Sequence, residues 1–191
     1  MSERVATYPI ERLIIDRWSR RAMSGEAIDD KELMRLLEAA RWAPSARNNQ
    51  PWRFVYAHKG TPAWQTFFDL LGGVNKEWAK NAATFVMIVS KKTYDKDGSP
   101  CRFHSFDAGA AWQNLVLQGC AMGLAVCCIG SFDHEKARSA FGIPNDFDIE
   151  VMVALGKLGK KESLPPYLQE KEQPTRRKPL EEIVFKETWQ K

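Results

Sequence analysis

The segment Ala43–Trp52 constrains the fold of this chain most strongly, because two prolines fix how the backbone enters and leaves it. Pro44 ends the helix predicted before it, and Pro51 directs Gln50 towards an extended backbone that leads into a strand. A helix–strand junction can be closed with about two or three residues. This one instead carries a hydroxyl, a guanidinium and three amide side chains. Such a stiffened loop suits the binding of a planar, hydrogen-bonding heterocycle.

Hydrophobic periodicity predicts helices and strands on both sides of this loop. Asp29 and Glu32 have the spacing of a capping box at the start of the second helix. Small residues begin the helix 107–122, so we expect it at the centre of the fold or at a subunit contact. The order of elements is typical of an α+β fold in a single domain, residues 1–191. The predicted helices cover residues from about 9 to 21, 30–43, 61–72, 107–122 and 133–141, and the predicted strands cover 54–56, 84–89, 124–129 and 149–155.

Two segments have an irregular composition. Residues 91–104 are polar, contain a turn signal at Asp97–Pro100, and are a candidate mobile lid over a site. Beyond Gly156, an arm of about residues 157–191 is rich in proline and lysine and closes on Ile183–Phe185, which we predict as a strand. We expect an arm of this length to reach a partner subunit.

Composition and charge exclude several classes of protein. The 28 basic and 24 acidic side chains leave a net charge of +4, which favours anionic small molecules but is too weak a footprint for nucleic acid. No signal-peptide pattern and no apolar run of bilayer length is present, so we expect no membrane contact. The four cysteines lack zinc-site spacing and fit a reduced, cytoplasmic protein.

Known catalytic and phosphate-binding motifs are absent from the sequence. There is no GxGxxG, no GxxxxGK[ST] and no HExxH. The three histidines have no evident nucleophile partner, and His104 and Asp107 are expected only to hydrogen-bond locally. We therefore predict no catalytic side chain and no metal ligand, and expect a cofactor to supply the chemistry.

Two basic clusters stand far apart in the sequence, Arg17/Arg20/Arg21 and Arg176–Lys178. Guanidinium groups match phosphate oxygens, so both clusters could converge on one phosphate. The alternative for the first cluster is a solvated helix end whose cations favour the helix dipole. Spacing alone does not decide between them.

Several motifs in order resemble the FMN-dependent nitroreductase-like oxidoreductase family over nearly the whole chain. The most specific is Ala43–Trp52, which resembles the family signature APSxxNxQPW. Residues 17–21 resemble an Arg-x-Ser-x-Arg/Lys element, and residues 107–115 resemble the family's central helix. Weaker similarities lie at Asn75 with Trp78, at 123–133 and at 177–182.

The resemblance implies a three-layer α/β/α fold with a mainly antiparallel sheet, a homodimer with an extended C-terminal arm, and FMN at the dimer interface. Arg17, Ser19, Arg21 and Arg177 would hold the phosphate and nearby ribityl oxygens. The loop at 44–46 would face the flavin from the partner subunit, and backbone near Gly130 would approach flavin N5. Trp18 stands where the family often has a polar residue, and we expect it to pack. The cofactor-binding positions implied are Arg17, Trp18, Ser19, Arg21, Pro44, Ser45, Ala46, Asn48, Gln50, Asn75, Ile129, Gly130, Ser131 and Arg177.

The activity implied is hydride transfer from NADH or NADPH through the flavin to a nitroaromatic, quinone or similar acceptor, by ping-pong kinetics. Alternatives with the same fold are reductive dehalogenation, heterocycle dehydrogenation and non-catalytic flavin binding. A basic module that binds nucleic acid is a further alternative, disfavoured because the aromatic residues fall in apolar core patterns.

Overall fold

A computed structural model describes residues 4–189, which form seven helices, four strands and three short 3₁₀ turns in that range. The helices are α1 Arg12–Asp16, α2 Asp30–Arg41, α3 Pro62–Asp69, α4 Gly73–Ala79, α5 His104–Ala121, α6 His134–Phe141 and α7 Pro166–Gln169. The strands are β1 Trp52–His58, β2 Thr84–Lys91, β3 Leu124–Ile129 and β4 Phe147–Lys157. The 3₁₀ turns are Ala46–Asn48, Lys161–Ser163 and Leu180–Glu182.

The four strands form one antiparallel sheet in the order β1-β2-β4-β3. Because successive strand residues point to opposite faces, β2 supplies both sides of the sheet with apolar side chains. Phe85, Met87 and Val89 face one core, and Val86 and Ile88 face the other. This central strand therefore has a continuous buried run, as its sequence predicts.

Helices cover both faces of the sheet. Residues of α3, α4 and α6 pack in the first core, and residues of α2 and α5 pack in the second. The central helix α5 lies close to β3, since a Cβ built on Gly119 would sit 2.5 Å from Val126 Cγ2. The predicted three-layer α+β fold with a central antiparallel sheet is confirmed.

Local signals located most elements correctly. The capping box at Asp29 and Glu32 is present, with Glu32 N–H donating to Asp29 Oδ1 at 2.7 Å. One predicted helix is too long, and one helix is missing from the prediction. The first helix is confined to Arg12–Asp16, so residues 17–21 lie beyond its end, and helix α4 falls where no helix is predicted. Trp78 and Ala79 are buried in the core, and this tertiary packing accounts for the helix.

The C-terminal arm has two parts. Leu164 and Leu168 are buried in the first core, which fixes the early arm on its own chain. Ile183 and Val184 are more than half exposed, and the predicted strand 183–185 is absent there. A strand needs a hydrogen-bonded neighbour, and the described part of this chain supplies none at that position.

No helix within residues 4–189 is long and apolar enough to cross a membrane. All four cysteines are free, and burial raises the pKa of the Cys127 thiol to about 12.

Candidate functional site

Three arginines from distant parts of the chain come together beside the end of α1. Burial, followed by the neighbouring charge of Arg177, lowers the pKa of Arg17 below its ordinary value. Burial and the charges of Arg177 and Arg17 lower the pKa of Arg4 in the same way. The two basic clusters of the sequence therefore meet through Arg17 and Arg177, and Arg4 joins them.

Arg4 also connects the backbones that carry the other two arginines. Its Nη1 donates to the carbonyls of Ile15 at 2.8 Å and Arg17 at 2.7 Å, and its Nε donates to Thr175 O at 3.0 Å. Sequence reasoning missed Arg4, because a lone basic residue near the amino terminus carries no motif. Its role becomes visible only in the folded chain, where its side chain bonds the carbonyl of Thr175, 171 positions away.

Like charges at close range repel, so an anion bound between these guanidinium groups would be stabilised. Guanidinium forks present donors that match phosphate or carboxylate oxygens. This arrangement can bind an anionic group held against the end of α1 and the late arm. Arg17 is the C-cap residue of α1, with extended backbone angles, φ −70° and ψ 122°, so the alternative of a cation at a helix terminus still applies to it, whereas Arg20 and Arg21 lie beyond the helix end.

Trp18 and Arg20 lie together in the same segment. The Arg20 guanidinium is 4.6 Å from the Trp18 ring centroid. Both line a small cavity of about 120 Å³ with Ala22 and Lys161. The packing role expected for Trp18 stays a prediction.

The proline-bracketed loop has an unusual backbone. Arg47, Asn48 and Gln50 have φ values of 54°, 53° and 48°, in the left-handed region that non-glycine residues rarely adopt. The expectation of an extended Gln50 is therefore wrong. Gln50 N–H donates to Ser45 Oγ at 3.0 Å, a contact within the loop that sets the backbone against the preference imposed by Pro51. The side chains of Asn48 and Gln50 remain exposed.

Two groups outside the loop hold it in this shape. Asp107 Oδ2, on the buried side of α5, accepts the Ala46 N–H at 3.0 Å. Asn49 Nδ2 donates to Thr93 O at 3.2 Å, and Asn49 Oδ1 accepts the Asp95 N–H at 2.9 Å. A strained backbone conformation persists only where the surrounding structure enforces it, and these three hydrogen bonds enforce the conformation of the loop.

Residues 92–101 form a closed hairpin and not an unattached lid. Tyr94 N–H donates to Ser99 O at 2.8 Å, and Cys101 N–H donates to Lys92 O at 2.7 Å. The Arg47 guanidinium lies 4.7 Å from the Tyr94 ring centroid, which adds a cation–π contact to the two Asn49 bonds. Arg47 and Asn49 thus brace the loop against this hairpin.

A second group of predicted residues meets at the end of β3. Asn75 Nδ2 donates to Ser131 O at 3.3 Å, and Asn75 Oδ1 accepts from Trp78 Nε1 at 3.3 Å. These bonds fix the amide and leave one N–H and one oxygen lone pair for a ligand. Ile129 is buried and can offer only backbone there, whereas Gly130 and Ser131 are exposed.

His104 belongs to a separate buried network. Its Nδ1 lies 2.7 Å from Ser90 Oγ, and Ser90 Oγ also donates to Glu150 Oε1. The expected local bond between His104 and Asp107 is wrong, because Asp107 faces Ala46. Ser90 is fully buried and cannot reach a substrate, so this network ties β2, α5 and β4 together and is not a hydrolytic triad.

The sequence was compared with known families and proteins. The profile of the Nitroreductase family matches residues 14–63 and 61–157, which is more than half of the chain. The chain belongs to the Nitroreductase family. A relative from Archaeoglobus fulgidus, provisionally named NADH dehydrogenase/NAD(P)H nitroreductase, is 28% identical over 155 residues, covering 76% of this chain and 83% of the relative.

Solved structures agree with membership of the Nitroreductase family. A crystal structure described as an oxidoreductase containing FMN has a TM-score of 0.94 and 39% identity, covering 98% of this chain and 96% of that one. A nitroreductase family protein from Clostridium difficile 630 shares the fold at 23% identity, with a TM-score of 0.71 and coverage of 93% and 97%.

In this nitroreductase family member, the positions predicted from sequence fall into three groups among residues 4–189. One group surrounds Arg17 and Arg177, the second is the loop 44–50, and the third joins Asn75 to Ser131. The sequence analysis missed Arg4 and gave Asp107, Arg47 and Asn49 no part in the site. In the sequence, Asp107 is recognisable only as a carboxylate that precedes a run of small residues in a predicted helix.

Proposed function

We propose that the protein is an FMN-dependent NAD(P)H oxidoreductase of the nitroreductase type. The observation that carries the proposal is the meeting of Arg4, Arg17 and Arg177: Arg4 bonds the Arg17 carbonyl and Thr175 O, and none of the three guanidinium groups forms an ion pair with a carboxylate within residues 4–189, which suits a flavin phosphate. The 39% identical neighbour, an oxidoreductase containing FMN, and the Archaeoglobus relative named as an NAD(P)H nitroreductase support the same cofactor and reductant.

Each group of residues has a separate role towards the cofactor. Arg17, Ser19, Arg21 and Arg177 would bind the phosphate and nearby ribityl oxygens. Asn75 would use its remaining N–H and lone pair, and the backbone at Gly130 and Ser131 would lie beside the ring. When bound, FMN supplies hydride transfer at its N5, so no acid–base side chain of the protein is needed for that chemistry.

We further propose that two copies form a homodimer and that each site takes the loop 44–50 from the partner copy. On α5, Phe106 is 80% exposed, and Gly109 and Gln113 continue the same exposed stripe one and two turns later. Gly109 has open space around it, so a second backbone can approach closely. The exposed Ile183 and Val184 give the end of the arm an apolar surface with which to reach that partner.

The nicotinamide and the acceptor would use one pocket in turn, which is a ping-pong scheme, with a nitroaromatic, quinone or similar small acceptor. The amides of Asn48 and Gln50 are exposed and would hydrogen-bond the cofactor across the subunit boundary. Free cysteines fit the reducing cytoplasm in which we place the protein.

The phosphate assignment predicts the effect of removing single arginines. Arg17→Ala or Arg177→Ala should weaken FMN binding by about tenfold or more, since each loses a charge-assisted hydrogen bond to the phosphate. Arg176→Ala, an exposed neighbour in the arm, is the matched control and should keep the wild-type Kd. Flavin fluorescence titration of the apoprotein measures all three. Unchanged FMN affinity in an Arg17→Ala/Arg177→Ala double variant would overturn the assignment.

A further inference from the structure

Glu172 is a buried carboxylate in the early arm, outside the residues assigned above. It is only 8% exposed and follows shortly after α7. Leu164 and Leu168, from the same stretch, are anchored in the first core. The position of Glu172 is therefore fixed by its own subunit and does not depend on a partner.

One oxygen of Glu172 captures two consecutive backbone amides. Its Oε1 accepts the Arg21 N–H at 2.8 Å and the Ala22 N–H at 2.9 Å. Hydrogen bonds to an ionised acceptor are stronger than those between neutral groups. The carboxylate thus holds the carboxyl end of segment 17–21, which carries Arg17, Ser19 and Arg21.

The residues that follow this segment are paired with the chain beyond β4. Ser24 N–H donates to Lys157 O at 3.0 Å, and Gly159 N–H donates to Ala22 O at 2.9 Å. The approach is so close that a Cβ on Gly159 would lie 2.5 Å from the Met23 carbonyl carbon. Segment 17–21 is therefore fixed at one end by Arg4 and at the other by this pairing and Glu172.

The second carboxylate oxygen of Glu172, Oε2, is buried and lacks a hydrogen-bond partner among the described residues. Leaving a buried acceptor unpaired costs free energy that an apolar side chain would avoid. A carboxylate kept at this cost indicates a task beyond filling space.

We propose that Glu172 is a positioning residue for the phosphate of the cofactor. It fixes the backbone of segment 17–21 so that the guanidinium group of Arg17 stays beside Arg4 and Arg177, directed at one anion. Glu172 would not touch the cofactor itself. The proposal rests on the proposed function, because it assumes that the anion is the FMN phosphate.

The test compares FMN with riboflavin, which lacks the phosphate, on the apoprotein of three variants. Glu172→Asp withdraws the carboxylate by one methylene and should weaken FMN binding by about tenfold, the equivalent of one lost charge-assisted hydrogen bond. Riboflavin binding should be unchanged. Glu172→Gln keeps an oxygen acceptor at the same reach but loses the charge that strengthens both bonds, so it should weaken FMN binding less than Glu172→Asp does and leave riboflavin binding unchanged. Glu170→Asp, an exposed carboxylate of the same arm, is the matched control and should bind both flavins as the wild type does.

Phosphorus NMR of bound FMN provides a second readout, which a merely structural role would not move. The resonance should shift in Glu172→Asp and shift less in Glu172→Gln. Equal loss of FMN and riboflavin, or wild-type FMN binding and an unshifted resonance in Glu172→Asp, would overturn the proposal. If Glu172→Asp does not fold, Glu172→Gln decides: weaker FMN binding with unchanged riboflavin binding supports the proposal, and wild-type binding of both flavins overturns it. A wild-type protein that fails to bind FMN would instead overturn the proposed function, so the two failures are distinguishable.

Discussion

At the scale of single residues, the candidate site depends on side chains that hold backbone as much as on those that would contact a ligand. Asp107 binds the Ala46 N–H, Arg4 binds the Arg17 carbonyl, and Glu172 binds the Arg21 N–H. Asp107 lies 61 positions and Glu172 lies 151 positions from the N–H that each accepts, whereas Arg4 lies 13 positions from Arg17. Charged groups are used for this purpose because charge-assisted bonds can fix a strained or extended segment.

Asp107 supplies a residue-scale prediction. Asp107→Ala removes the acceptor of the Ala46 N–H and should lower the free energy of unfolding by about 1–3 kcal/mol, the cost of an unpaired buried donor. Asp107→Asn retains an oxygen at that place and should lose much less. Amide hydrogen exchange at Ala46, followed by NMR, should speed up in the Ala variant only. Equal protection of Ala46 in both variants would contradict the role given to this carboxylate.

At the scale of elements, the hairpin 92–101 and the loop 44–50 behave as one unit. Two bonds from the Asn49 amide and the contact of Arg47 with Tyr94 join them. The hairpin also closes on itself through Tyr94 and Ser99. Motion of the hairpin should consequently be coupled to the loop that we propose to face the partner's flavin.

Removing the Asn49 amide should uncouple these two elements. In Asn49→Ala, hydrogen exchange of the backbone at 92–101 should accelerate severalfold, by mass spectrometry, because both cross-bonds are lost. Asn49→Asp keeps the acceptor for the Asp95 N–H and should show a smaller change. Lys96→Ala, on the exposed side of the hairpin, serves as the control. If hydrogen exchange at 92–101 is the same in Asn49→Ala and in Lys96→Ala, the hairpin is stable without its bonds to the loop 44–50.

Elements whose signal is local were predictable from the sequence. The capping box of α2 and the buried apolar run of β2 need no distant contact to be recognised. Helix α4 was missed because its stability comes from burying Trp78 and Ala79. The positive φ values at 47, 48 and 50 were missed because Asp107 and Thr93, far along the chain, hold that loop.

At the scale of the whole molecule, the candidate site residues lie at three places in the described chain. The arginine cluster lies by the end of α1, Asn75 and Ser131 lie at the end of β3, and the loop 44–50 is held by α5 and the hairpin. The sequence resemblance named most of these residues as candidates. It did not reveal the positioning residues, because their contacts depend on the folded chain and leave no spacing pattern.

The central claim, a flavin enzyme reduced by nicotinamide, is tested most directly by one spectroscopic titration. The purified protein, reconstituted with FMN if needed, is titrated anaerobically with NADPH and then NADH while the visible absorption of the flavin is recorded. Bleaching of the flavin bands by either nucleotide, restored by adding a quinone or nitroaromatic acceptor, is the result that we predict. Flavin bands that persist with both nucleotides, or a colourless protein that takes up no FMN, would contradict the account.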